Sequence, residues 1–169
     1  TTFGGAANYS VALNGGGTIT NDTTFANVGT ITLGNDAGDT TTFTGGLSTT
    51  SGSGTNIAGT VATTNTQMDL GPTTLTTDAT LKSGSGPMNI GSLAGAFTLS
   101  VQDALLASTG TVTVAGDATI AGLTTFGGAA NYSVALNGGG KITNDTTHAN
   151  VGTIKLGNDA GDTTTFTGG

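Results

Sequence analysis

The chain has 169 residues, with 39 Thr, 31 Gly and no Glu, Arg, Cys or Trp, and its ten Asp against three Lys leave a net charge of −7. Few strong helix formers and many β-branched residues point to an all-β protein, and the lack of Cys excludes a disulfide framework or a thiolate metal site. With no basic patch to neutralise phosphates, no nucleic acid is expected as a partner, and with no run of about 18 apolar residues no membrane insertion is expected.

In chain order, short alternating runs stand at 9–15 (YSVALNG), 30–34 (TITLG), 67–71 (QMDLG), 87–91 (PMNIG) and 111–116 (TVTVAG). In each, two apolar residues two apart share one side of a strand, and their polar neighbours share the other. The stretch TTLTTDATLKSG extends the pattern, with Leu75, Thr77, Ala79 and Leu81 expected on one face and Thr76, Asp78, Thr80 and Lys82 on the other. Phe97, Leu99 and Val101 likewise alternate with Thr98, Ser100 and Gln102.

The first apolar residues of the pairs are Val11, Ile31, Met68, Met88, Val112, Val134 and Ile154, separated by steps of 20, 37, 20, 24, 22 and 20. Reading the step of 37 as two turns predicts a parallel β-helix, a β-solenoid with coils of about 20 residues. An antiparallel sandwich would need hairpins, for which Asn14-Gly15 and Asn137-Gly138 are the isolated signals.

A longer period overlies the short one. Residues 1–46 recur as residues 124–169, an offset of 123, and differ only at Thr18/Lys141, Phe25/His148 and Thr32/Lys155. The organisation expected is a single continuous solenoid over 1–169, with 1–123 one full repeat unit and 124–169 the start of the next. On the two-turn reading, each unit holds six coils averaging 20.5 residues. Alternation places Thr18 and Thr32 outward, where Lys stays in water. Phe25 is expected at an exposed or half-exposed corner, because its replacement is a polar ring.

Candidate chemistry is sparse. LGNDAGDT at 33–40, repeated at 156–163, could offer Asp36 and Asp39, or Asp159 and Asp162, as oxygen ligands for Ca²⁺ in a Gly-rich turn. The competing reading is an Asn/Asp/Gly turn whose carboxylates bond the backbone. The single His occurs only in the second copy, so it cannot serve a catalytic function shared by every repeat, and the chain is expected not to be an enzyme. A polysaccharide-active enzyme stays open only because such folds can host one. Ice binding needs an unbroken Thr rank, which Lys141 and Lys155 interrupt.

The recurring Gly-Thr-[Ile/Val]-Thr strands, with IAGTVATTNTQMDLG, TTLTTDATLKSGSG and FTLSVQDALLASTGTVTV, resemble the tandem β-strand repeats of large secreted bacterial surface proteins. These are similar to adhesins of the filamentous-haemagglutinin type. The resemblance implies a right-handed parallel β-helix in an extracellular or cell-surface fibre. Its expected partners are flanking repeats or copies of itself end to end, and a host or neighbour-cell surface. No site residue carries over.

Overall fold

A computed structural model describes residues 2–5, 8–105 and 107–169. The chain winds as an all-β parallel solenoid of about seven turns, as the alternation predicts. Every strand pairing is parallel, so the Asn-Gly dipeptides close no hairpin and the sandwich alternative falls.

Three ladders run along the axis, and each turn of the chain visits them in a fixed order. On the first face Val11–Leu13 lies under Ile31–Leu33, and the ladder continues through Thr55, Thr73, Leu93, Ala118 and Gly140 to Thr164. The second face stacks Gly17–Ile19, Thr40–Phe43, Val61, Leu81, Val101 and Thr125. The third stacks Thr23, Leu47, Met68, Met88, Val112, Val134 and Ile154. The ladders pass the 123/124 boundary unbroken, since Val112 pairs with Val134 and Ala118 with Gly140. At the usual spacing of parallel strands the seven turns rise about 34 Å.

Alternation explains which residues fill the centre. Leu and Ile at inward positions from the first face (Ile31, Leu33, Ile57) meet Phe43, Val61 and Leu81 from the second and Met68, Met88 and Val112 from the third, all essentially inaccessible to solvent. On each face a coil contributes at most two or three inward side chains, so the core is a thin continuous column. Outward neighbours such as Thr32, Thr74 and Thr113 remain in or near water. Thr18, Lys141 and Lys155 are exposed, which agrees with their predicted outward direction.

Corners set the coil boundaries. Gly34 follows the first-face strand with φ +79°, and a Cβ there would collide with the carbonyl of Ala58 in the next coil. A conformation of that kind suits only glycine.

Four sequence expectations need correction. The step of 37 from Ile31 to Met68 carries the chain from the first face to the third, one and two-thirds turns and not two. Between them lie the strands Thr40–Phe43, Leu47–Ser48 and Thr55–Thr63, in which buried Thr blurs the apolar alternation. The 123-residue unit therefore does not hold six coils. Leu75 and Ala79 do not share a face, because the strand Met68–Lys82 bends round a corner between them, where three residues oppose the single Ala58. Gln102 is not outward but fully buried, with φ +62°. Its Oε1 accepts the amides of Ser83 and Gly84 (3.0 and 3.1 Å), and its Nε2 donates to the Ser83 hydroxyl and the Gly110 carbonyl (3.0 and 3.1 Å). This glutamine closes the longest excursion between two ladders, from Val101 to Val112. Phe97, placed inward by alternation, stands 36% exposed just before its strand begins.

The register makes a sharp distinction between neighbours. Leu75→Asp should unfold the chain or cost several kcal/mol, since it buries an unpaired carboxylate, whereas Thr74→Asp, one residue away and outward, should change stability by less than about 0.5 kcal/mol. Thermal unfolding followed by circular dichroism separates the two outcomes.

Candidate functional site

The acidic turns are the first candidate. Asp39 Oδ2 accepts the backbone amides of Asn35 (2.8 Å) and Asp36 (3.1 Å), and Asp36 Oδ1 accepts that of Gly38 (2.8 Å). In the second copy Asp162 Oδ2 accepts the amides of Asn158 (2.7 Å) and Asp159 (2.9 Å). Those amide bonds hold the Asp162 carboxyl below the usual carboxylate range, with a further contribution from the Lys155 charge. Each pair of carboxylates is thus brought onto one turn, which Asp39 or Asp162 organises through the backbone amides as the turn reading expected, with Asp36 adding a bond in the first copy. The two turns do not meet: residues 34–40 join the first face to the second, and 157–163 join the third to the first. Among the described residues, no three His, Cys, Asp or Glu side chains converge as a metal-holding group.

The position of Phe25 and His148 departs from expectation. Phe25 is 4% exposed and packs edge-on against Phe43, with ring centroids 6.3 Å apart. Phe25 continues the alternation of the third-face strand Thr23–Thr24: its amide donates to the Ser48 carbonyl of the next coil (2.9 Å), as that of Thr23 does to Gly46 (3.1 Å), so its side chain points inward after the outward Thr24. His148 takes the equivalent place against Phe166, centroids 6.1 Å apart and rings nearly perpendicular. Its two nitrogens are both shielded from solvent and have no hydrogen-bond partner. Burial alone depresses the pKa of the imidazole, with no carboxylate contributing. One of the three copy differences therefore falls inside the column.

A group not singled out from sequence lies on the excursion after Val101. Asp103 accepts the Ser108 hydroxyl (2.6 Å) and the Leu105 amide (3.0 Å), and Lys82 Nζ lies 3.7 Å away. Burial alone would raise the Asp103 pKa, but the two hydrogen bonds and the lysine bring it below its ordinary value. The Ser108 hydroxyl donates to this carboxylate in a nearly inaccessible position, and the arrangement clamps the excursion. Its sequence signal was the Asp-x-Leu spacing of a side-chain-capped turn.

On the third face, an open polar groove is bordered by Asp22, Thr24, Gly46, Ser48, Gln67 and Asp69. Asn89 donates to Asp69 Oδ1 across one rung of that face (2.7 Å). Among the described residues no helix is long and apolar enough to cross a membrane. Comparison with protein families, with curated proteins and with solved structures finds no match.

His148 yields a pH test with a definite sign. Unfolded, the imidazole takes up a proton near 6.5, and burial holds the folded value below that. The contribution is fully present above about 6.5 and is lost as pH falls from there through the folded pKa. His148→Phe should raise the melting temperature and remove this part of the acid dependence, read by thermal melts at pH 7.5 and pH 5. At the acidic turns, added Ca²⁺ or a chelator should leave the melting temperature unchanged; a rise with Ca²⁺ would give Asp36, Asp39, Asp159 and Asp162 a ligand role.

Proposed function

We propose that this chain is a structural repeat of a bacterial extracellular surface fibre or adhesin, acting as a stiff rod that extends by pairing its coil edges with flanking repeats or with further copies of itself. The observation that carries this reading is the continuity of the three ladders across the copy boundary. The second copy adds to residues 98–120 of the unit before it, coil by coil and with parallel in-register pairing throughout. Each coil is held by backbone bonds to its neighbours and by the shared apolar column, so the scaffold depends on no single side chain.

The edges support the extension. Val11–Leu13 and Gly17–Ile19 pair on one side only, as do Ile154–Leu156 and Thr164–Phe166. Parallel edges of this kind template further pairing. The extracellular, bacterial setting rests on the resemblance of the strand phrases to secreted surface repeats, and the Thr, Ser and Asn of the outer faces suit a surface that stays hydrated.

Electron microscopy of the purified chain tests the reading. Continuous filaments with a 4.8 Å axial repeat are expected if edges pair between molecules. Isolated short rods would restrict the role to a spacer within a longer fibre, and compact particles without an axial repeat would overturn the rod altogether.

A further inference from the structure

The two copies of the 46-residue segment have the same internal structure but stand on different faces. In the first copy Val11–Leu13 pairs with Ile31–Leu33 on the first face, and in the second Val134–Leu136 pairs with Ile154–Leu156 in the same register on the third. Gly17–Ile19 under Thr41–Phe43 lies on the second face, whereas its counterpart, Gly140–Ile142 under Thr164–Phe166, lies on the first. Every matched strand moves by the same one face.

Hydrogen bonds follow the sequence and not the face. Asn27 Nδ2 donates to the Tyr9 carbonyl (3.1 Å) and Asn150 Nδ2 to that of Tyr132 (3.0 Å). The Gly34 amide donates to Leu13 (2.8 Å) and that of Gly157 to Leu136 (2.6 Å). The segment thus folds against itself identically while resting on a different part of the column.

What changes between the copies is the contact beneath. Val11 and Leu13 are half-buried, and Val134 and Leu136 are fully buried, because the strand Val112–Val114 lies below the second pair. Tyr9 donates its hydroxyl to the Phe3 carbonyl of its own segment (3.0 Å). Tyr132 accepts from the Phe126 amide (2.6 Å) and donates to the Val101 carbonyl of the unit below (3.0 Å). The tyrosine hydroxyl therefore bonds to the preceding unit where the segment is seated on one.

From these registers we infer that the 123-residue unit is a self-complementary screw element. The receiving surface is the upper edge of Thr98–Val101, Val112–Val114 and Ala118–Ile120, and the partner it fits is the leading 46 residues of another copy of the unit, offset by one face. Counting from Val11 to Val134 along the ladders gives 5⅔ turns, a rise of about 27 Å per unit at the usual strand spacing. Three units then complete a whole number of turns. An array built this way carries each outward side chain on all three faces in rotation, so a surface patch of one unit reappears turned by a third of a circle on the next. The acidic turn already shows this displacement, moving from one corner at 34–40 to another at 157–163.

The offset is open to a direct test in the full chain, which has no cysteine of its own. Thr113 and Ala135 are partners across adjacent coils, as are Thr119 and Lys141, and all four point outward. Cα atoms in adjacent strands lie within disulfide range. Thr113→Cys/Ala135→Cys and Thr119→Cys/Lys141→Cys should each lose both free thiols on mild oxidation without becoming dimeric. A unit of whole turns would instead place Ala135 on the first face over Thr119. The competing pair Thr119→Cys/Ala135→Cys should therefore keep its thiols. Closure of the competing pair, or failure of both expected pairs in chains whose circular dichroism is unchanged, would overturn the screw.

Discussion

The in-register parallel ladder is the constraint on which everything else in this molecule depends. Each strand must place its amides opposite the carbonyls of the coil below, and the unit rise leaves room for one layer of inward side chains per coil. Wherever an inward position changes character, the neighbours above and below feel it directly, because the column is only one side chain thick at each level. Gln102 enters it with its bonding arranged, through five bonds to Ser83, Gly84 and Gly110. His148 is the contrasting case, an imidazole whose nitrogens no group meets.

Energetically, such a column is nearly one-dimensional. Each coil touches only its neighbours, so stability accumulates by addition and local opening starts where a coil has a neighbour on one side alone. Burial obeys that logic here. The inward residues of the central coils are closed off, while Val11, Leu13, Ile154 and Phe166, with the same alternation, stay partly open. The difference lies in what covers them and not in their own sequence.

The fold class was legible in the sequence because the ladder imposes a period of two within strands and a recurrence near 20 between coils. Both show in pairs such as Met68/Met88 and Val134/Ile154, which are vertical neighbours in the structure. What sequence could not supply was the count of faces between two distant pairs. Between Ile31 and Met68 the inward positions include Thr49, Thr55 and Thr63, all buried, and a buried Thr is indistinguishable from an outward one by hydropathy. Phe25 escapes the sequence for a related reason: its polar replacement suggests a wet corner, but the residue extends the alternation of Thr23–Thr24 and meets Phe43 edge-on inside the column. The acidic turns were readable as turns because Asx bonding is local, requiring only residues within four positions of each other.

The one-face displacement between copies has a bearing on how such a chain can change in length. A segment that forms the same internal pairs at two different azimuths carries no record of where it sits, so in the proposed screw gaining or losing a whole unit would shift the azimuth of every later coil without asking any strand for a new partner. Copy number would then be free of phase, and a rod built on the proposed screw would change its reach in steps of whole units.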